Sequence, residues 1–359
     1  MQQKSIPFLL MRGGSSRGPF FNRTDLPEKL EDLSRILISV TGSGHPLNID
    51  GIGGGNAVTT KVAMLSRSDD NWADIDYFFA QVSVEKQLVD YKPTCGNMLT
   101  AVGPAAIEMG LISASDDVTE IRIRAVNTEA KVVSRVQTPN KKVSYFGDAT
   151  IDGVPGTSAP IELLFLEVAG SSTGELFPTG DPINSIRGVE VTCMDVAMPM
   201  VIARASDLGL SGKETRVELD ANRTLFERIE SIRVEAGGLM GMGDVSSSVI
   251  PKFGLLSTVD QINHINCRYF MPWETHPTIA VTGCQCLASC ALARGTVAEG
   301  MMQTDSRIPA LITLHHPMGT MDVLIDYSIE NGRYVNNSAG LVRTARKIAS
   351  GEIFAHLAQ

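Results

Sequence analysis

The hydrophobic pattern of the first half of the chain predicts strands joined by glycine turns, with two helices. Apolar runs over residues 6–11 and 19–21 predict two strands on either side of a glycine-rich turn. Leucine, isoleucine and valine recur at helical spacing over residues 25–40, which predicts an amphipathic helix. Residues 76–89 alternate in the manner of strands, and residues 97–110 predict a helix that Gly110 ends.

The second half of the chain repeats this order. Residues 118–166 are almost entirely strand-like, and the run over residues 169–182, rich in glycine, serine, threonine and proline, indicates a linker. Beyond it the pattern predicts strands over 189–193 and 200–203 and a helix over 219–237. Strands over 249–255 and 263–270, a helix from Gly283, strands over 311–315 and 321–327, and a basic helix near the C-terminus complete the prediction.

Each half contains one helix that is apolar on all sides. The first begins at Cys95 and the second near Gly283, about half a chain length later. Because such a helix must be buried, we expect two similar α+β units, each wrapping strands around a central helix. We place the first domain at residues 1–185 and the second at 186–339, with residues 340–359 packing back on the first.

Composition narrows the class of protein. The 359 residues are 43% hydrophobic, which is enough for sizeable cores, and the formal net charge is −9. That charge argues against binding to nucleic acid, which needs a concentrated basic surface. No apolar stretch predicts a signal peptide or a membrane span. Six cysteines without a disulfide-like framework predict a reducing, cytoplasmic setting.

Several motifs allow more than one interpretation. Residues 14–18 match the G-x-S-x-G pattern of hydrolases, but a strand follows where a nucleophile elbow needs a helix, so an anion-binding turn is favoured over a nucleophilic Ser16. The glycines of residues 51–55 do not fit a dinucleotide fingerprint, although their backbone could approach a ligand closely. Cys284, Cys286 and Cys290 lack histidines at metal-ligand spacing, and we predict neither a metal nor a cofactor.

Cys95 and Lys61 are the candidates for proton transfer. Cys95 precedes Gly96 and Asn97 at a helix start, where free N–H groups favour a thiolate and also bind anions. Lys61 has apolar neighbours, and a partly desolvated lysine can act as a base near neutral pH. Taken alone, an inert buried cysteine and a surface lysine that extends its amine to solvent remain open alternatives.

An ordered set of motifs carries a family resemblance. The motifs are MRGGSSRG over residues 11–18, IDGIGG over 49–54, TKVA over 60–63, CGN over 95–97, IDGVPGT over 151–157, MGDV over 242–245 and RTARK over 343–347. In this order and spacing the chain resembles the PrpF-type isomerases over nearly its whole length. That family includes 2-methylaconitate isomerase, methylitaconate Δ-isomerase and 4-oxalomesaconate tautomerase, and the strongest resemblance is to bacterial isomerases of the tautomerase branch.

The resemblance implies a fold, an activity and partners. The fold would be diaminopimelate epimerase-like: two pseudo-symmetric domains, each a curved sheet around a central helix, with the active site between them. The activity would be a cofactor-independent 1,3-allylic proton shift in an unsaturated di- or tricarboxylate. Cys95 and Lys61 occupy the acid and base positions, and which of them removes the proton stays open. The partner would be a small carboxylate; a homodimer is one candidate for the oligomeric state, which the sequence leaves open.

Carboxylate-binding groups are expected at both helix starts and in the first glycine turn. Helix N-termini and glycine turns present backbone N–H groups to anions. The expected substrate contacts are Arg12, Gly13, Gly14, Ser15, Ser16, Gly53, Gly54, Gly96, Asn97, Thr282, Gly283 and His316.

Two departures from the related proteins bear on function. The first loop reads Ser15-Ser16-Arg17-Gly18 where the family usually has Thr-Ser-Lys-Gly, so the preference among related acids could differ. Cys284 follows Gly283, whereas the second catalytic thiol of epimerases precedes that glycine, and we expect the Cys284 thiol to face the core. The alternatives to an isomerase are a racemase or epimerase of the same fold, a serine hydrolase using Ser16, and a non-catalytic carboxylate-binding protein.

Overall fold

The chain folds into two compact units. A computed structural model describes residues 2–151, 153–271 and 273–357. Unit 1 comprises Met1–Leu164 and Val342–Gln359, and unit 2 comprises Phe165–Leu341. The first change of unit therefore falls about twenty residues before the boundary placed by the sequence pattern. Asp152, within one of the family motifs, lies outside the described residues.

Unit 1 is a mixed sheet with helices on both faces. Its elements are β1 (Gln2–Gly13), β2 (Ser16–Asn22), α1 (Leu30–Thr41), β3 (Lys61–Arg67), β4 (Ile75–Val82), β5 (Val89–Asp90), α2 (Gly96–Leu99), α3 (Val102–Glu108), β6 (Asp117–Ala125), β7 (Ala130–Thr138) and β8 (Pro160–Leu166). The strand order is β1-β2-β3-β4-β6-β7-β8, and the C-terminal strand adds to β1.

The two faces of this sheet bury different helices. Leu33, Ile36, Leu37 and Val40 of α1 pack on one face, together with Val62 and Met64 of β3. The opposite face meets α2 and α3, which follow one another with helical backbone at Thr100 and Ala101 between them. Residues 98–106 are all buried, as the apolar composition of this segment predicts.

Unit 2 has the same kind of sheet. Its elements are β9 (Asn184–Ile186), β10 (Val189–Asp195), β11 (Pro199–Arg204), α4 (Arg216–Asp220), α5 (Arg223–Leu239), β12 (Lys252–Thr258), β13 (His264–Phe270), α6 (Val281–Leu292), β14 (Ala310–His316), β15 (Gly319–Glu330) and the start of β16 (Arg333–Leu357). Helix α6 is buried from Gly283 to Cys290 against one face, and α5 covers the other.

The two units repeat one order of elements and pairings. In unit 1 the hairpin β1–β2 leads through α1 to the parallel partner β3, and the hairpin β3–β4 leads through α2 and α3 to the parallel partner β6. In unit 2 the hairpins β10–β11 and β12–β13 are joined in the same way through α5 and α6. This repeated topology confirms the two similar α+β units, each with a central helix, that the sequence pattern predicts, and it agrees with the epimerase-like fold that the family resemblance implies.

Two predicted elements are wrong. The C-terminal segment is a strand, because residues 345–357 pair with β1 along its length, and this pairing prevails over the helical tendency of its basic residues. The run over residues 169–182 is not a linker, because it binds the fully buried Asp195. The carboxylate of Asp195 accepts hydrogen bonds from the backbone N–H groups of Ser172 and Thr173 at 2.8 Å each.

Candidate active site

The glycine turn between β1 and β2 lies directly against the start of α2. A Cβ atom on Gly13 would collide with the backbone oxygen of Asn97, and one on Gly14, whose φ is +53°, would collide with the Asn97 side chain. Asn97 Nδ2 donates to Ser15 Oγ at 3.1 Å. Ser16 begins a strand and is 1% exposed, so no nucleophile elbow forms and the hydrolase interpretation loses its geometric basis.

Lys61 is the first residue of β3 and lies half-buried on the face that α2 covers. Its Nζ donates to Gln81 Oε1 at 2.7 Å and lies 5.4 Å from the centroid of the Phe79 ring. Lys61 and Gln81 are direct cross-strand partners, and side chains at alternate positions of β4 share one face. Tyr77, Phe79 and Gln81 therefore lie on the same side of the sheet as Lys61.

Cys95 is the residue that precedes the first turn of α2, and it is partly exposed. Its backbone oxygen accepts a hydrogen bond from the Tyr77 hydroxyl at 3.3 Å. Burial, and to a smaller extent the neighbouring Cys95, raise the pKa of Tyr77 well above its ordinary value, so this hydroxyl keeps its proton. The Tyr77 and Phe79 ring centroids are 6.3 Å apart, which links Cys95 to Lys61 through two adjacent aromatic side chains.

Buried polar atoms without a hydrogen-bond partner flank this cluster. Within the described ranges, Ser16 Oγ and Thr94 Oγ1 are buried and have no such partner. A Cβ atom on Gly96, by contrast, would meet no atom within 4 Å. Because an unsatisfied buried polar group is costly, Ser16 and Thr94 are candidate contacts for a polar ligand beside the open side of Gly96.

Arg12 has a different surrounding from the one predicted. Its Nη1 donates to the backbone oxygens of Gly14 and Thr344, at 2.9 and 2.8 Å, and to Thr344 Oγ1 at 3.0 Å. Its side chain projects from the face of β1 opposite to that of Gly13. Burial and the nearby Arg346 lower the pKa of Arg12. The guanidinium thus fixes the glycine turn, and the direct carboxylate contact suggested by the sequence stays a prediction.

Gly53 and Gly54 do not join the cluster around Cys95. A Cβ atom on Gly53 would lie 2.5 Å from the backbone oxygen of Thr41, at the end of α1. One on Gly54 would lie 2.6 Å from Nη2 of Arg17, whose side chain leaves β2 on the side opposite to Ser16. Gly53 therefore packs against the end of α1, and Gly54 packs against the side chains of Arg17 and Thr59.

The remaining predicted residues belong to unit 2. Thr282 and Gly283 lie in the first turn of α6, and a Cβ atom on Gly283 would come within 2.6 Å of the Tyr269 ring. His316 ends β14, is 6% exposed, and accepts a hydrogen bond from the backbone N–H of Met318. Cys284 is fully buried, with its Sγ 3.0 Å from Met321 Sδ, as predicted for a thiol that faces the core.

Four side chains of the unit 1 cluster were not predicted from the sequence. They are Tyr77, Phe79, Gln81 and Thr94. The signal for the first three was present, because the alternation of β4 places them on one face, but nothing in the sequence identifies that face as the one beside Cys95. In the described ranges no group of three or more His, Cys, Asp or Glu residues could hold a metal ion. Nor is any described helix long and apolar enough to cross a membrane.

Comparisons with known proteins identify the family. Residues 3–356 match the family described as PrpF protein. The chain is 49% identical over 355 residues to the YbhH protein of Escherichia coli strain K12, covering 98% of this chain and 99% of that protein. It is 42% identical over 353 residues to the 4-oxalomesaconate tautomerase of Pseudomonas putida, covering 98% and 97%.

A solved structure gives the same result for the fold. The crystal structure of methylitaconate-delta-isomerase superposes with a TM-score of 0.87 at 30% identity, covering 99% of this chain and 96% of that one. The superposed part of the chain spans both units. The chain therefore belongs to the PrpF family.

Proposed function

We propose that this protein is an isomerase that moves a proton across an allylic system in an unsaturated di- or tricarboxylate, without a cofactor. The observation that carries the proposal is the placement of Lys61 and Cys95 around one patch of unit 1, bridged by Phe79 and Tyr77. The names of the relatives support the substrate class, since they include a 4-oxalomesaconate tautomerase and a 3-methylitaconate isomerase.

The chemistry needs one acid and one base on two carbons. One group removes a proton from the carbon next to the double bond, and the electron pair delocalises into a dienolate. The other group delivers a proton to the far carbon, and the double bond shifts. Each group then differs by one proton from its starting state, and exchange with water restores both. Lys61 and Cys95 supply this pair in the proposal.

Negative charge on the dienolate must be stabilised as it forms. The free N–H groups at the start of α2, with Ser16 Oγ and Thr94 Oγ1, supply uncharged donors beside Cys95. Asn97 is held by Ser15, so this side of the site is ordered by the glycine turn. Arg12 acts in the proposal by fixing that turn.

The test is proton NMR of the purified protein in deuterium oxide with 4-oxalomesaconate, 2-methylaconitate and 3-methylitaconate in turn. We expect migration of the double bond in at least one acid, with deuterium entering the carbon that receives the proton. Activity should be unchanged by EDTA. Binding of every acid without carbon-bound exchange would leave a carboxylate-binding protein, and inversion at one carbon without migration would indicate an epimerase.

A further inference from the structure

The oxygens around the side-chain amide nitrogen of Gln81 hold this side chain in one orientation. Its Nε2 lies within hydrogen-bond distance of four oxygens: Ala57 O at 3.1 Å, Val82 O at 3.3 Å, and Thr60 O and Oγ1 at 3.4 Å each. An amide nitrogen can only donate, so these acceptors fix which end of the side chain faces them. The opposite end, Oε1, therefore faces Lys61 Nζ.

The surroundings of Lys61 are uncharged at short range. Its hydrogen bond goes to a neutral amide oxygen, and in the described ranges it forms no ion pair with a carboxylate. The titratable groups on this side of the sheet are Tyr77 of β4, Cys95, whose backbone oxygen binds the Tyr77 hydroxyl, and Asp90 of β5 beyond Gln81. Asp90 is exposed to solvent. Besides the Gln81 oxygen, the face of the Phe79 ring stabilises a positive charge on Lys61.

We propose that Gln81 is a positioning residue for Lys61. The fixed amide oxygen aims Nζ along the inner face of β3 and β4 and, because it is uncharged, holds the Lys61 side chain without an ion pair. A carboxylate at this position would instead hold the ammonium form. The catalytic part of this inference rests on the proposed function, but the contact itself can be tested without any substrate.

The first experiment is competitive labelling of lysines with acetic anhydride across a pH series, with the Lys61 peptide quantified by mass spectrometry. Gln81→Glu places a negative charge about 3 Å from Nζ and should move the midpoint of Lys61 labelling upward by about 1 pH unit, the lower end of the effect of a close opposite charge, because the site is partly exposed. Gln137→Glu is the matched control, since it adds the same charge to β7 on the face away from the central helix. An unmoved midpoint in Gln81→Glu, or an equal shift in both variants, overturns the proposal.

A second variant covers the case in which Gln81→Glu does not fold. Gln81→Met keeps the length of the side chain but removes the acceptor, so Lys61 loses its orientation without gaining a charge. In the deuterium-exchange assay we expect kcat to fall about tenfold or more while KM changes less than threefold. Unchanged kcat in a folded Gln81→Met protein contradicts the positioning role. If no acid is isomerised even by the unaltered protein, the proposed function fails, and the labelling result still decides the role of Gln81.

Discussion

Cys95 and Cys284 sit near the starts of the two central helices, and their surroundings differ. Cys95 is partly exposed, whereas Cys284, Cys193, Cys267, Cys286 and Cys290 are buried. Burial raises the pKa of Cys193, Cys267 and Cys290 to about 12 in each case, which keeps those thiols protonated. The two helix starts are therefore not chemically equivalent, and the second lacks the accessible thiol that an epimerase needs.

An aromatic disulfide reagent should accordingly label one thiol in the native protein at neutral pH, and peptide mapping should place it at Cys95. All six cysteines should react after denaturation. Cys284→Ala should retain most of the isomerase activity and lose about 1 kcal/mol of stability through a small cavity. Labelling of Cys284 at a rate equal to that of Cys95 would revive the two-thiol mechanism.

Arg12 shows what a sequence cannot reveal at the scale of a single residue. Its motif placed it correctly beside the glycine turn, but its main acceptor, Thr344, lies 332 positions away. The face from which an arginine leaves a strand depends on pairing that no local pattern encodes. Lys61 and Cys95 could be chosen as candidates because their motifs specify residue type and order. No motif marks Gln81 and Tyr77, which the structure places in contact with them.

Replacing Arg12 with alanine should loosen the glycine turn and remove four hydrogen bonds, the fourth of which runs from Nη2 to Ser158 Oγ at 3.4 Å. We expect a loss of about 1–3 kcal/mol in the free energy of unfolding, together with a raised KM, because the turn holds Asn97 through Ser15. Urea denaturation and steady-state kinetics would measure the two effects. Unaltered stability with a raised KM would favour the direct carboxylate contact that the sequence first suggested.

At the scale of the elements, two glycines have opposite surroundings: one is packed tightly between strands and the other borders open space. A Cβ atom on Gly18 of β2 would collide with the backbone oxygen of Lys61, so the two strands could not keep their spacing. By contrast, a Cβ atom on Gly96, at the start of α2, would meet no atom within 4 Å. Gly18→Ala is therefore expected to destabilise the protein by more than about 3 kcal/mol or to prevent folding.

Gly96→Ala is the matched comparison. The added methyl group should leave the melting temperature nearly unchanged, since alanine is tolerated at a helix start. Turnover should fall, because the methyl group would enter the space beside Cys95. Thermal melting and the deuterium-exchange assay give both values, and full activity in Gly96→Ala would mean that substrate does not approach this face of α2.

The elements differ in how far the sequence predicts them. The two apolar helices were predictable, because a helix without a polar face has to be buried. The C-terminal strand was not, since Arg346 and Lys347 suit a helix and their extended form depends on pairing with β1, more than 300 residues earlier. Long-range pairing overrides local propensity there.

For the whole molecule, the repeated order of elements explains why the sequence shows two similar halves. The hydrophobic pattern indicated two halves, but it placed the first change of unit about twenty residues later than the structure does. The segment over residues 169–182 has the composition of a linker, yet it is tied to buried Asp195 within unit 2. Amino-acid composition indicates how flexible a segment can be. It does not indicate which buried carboxylate the segment binds by hydrogen bonds.

Histidines of unit 2 give the stability of the molecule a defined pH dependence. Burial lowers the pKa of His276 and, with a smaller contribution from His264, that of His315. In the unfolded chain both groups return to about 6.5, so on acidification the unfolded state takes up protons first. The free energy of unfolding should be greatest above about pH 7 and fall as the pH drops toward the lowered pKa values.

Urea unfolding at pH 7.5 and pH 5.5 would measure this difference. His315→Gln should reduce it, because glutamine does not titrate and one of the two groups is removed. Equal free energies of unfolding at the two pH values in the unaltered protein would show that these histidines are not buried as described.

The central claim is that Lys61 and Cys95 together move the proton. The most direct test compares initial rates of deuterium incorporation, by NMR, for the unaltered protein, Lys61→Ala and Cys95→Ala, with Gln137→Glu as the folded control. Each of the two alanine variants should lose about 10²–10⁴-fold in rate while still binding a carboxylate inhibitor, the usual effect of removing one positioned acid or base. A rate near that of the unaltered protein in either variant would contradict the account and remove that residue from the mechanism.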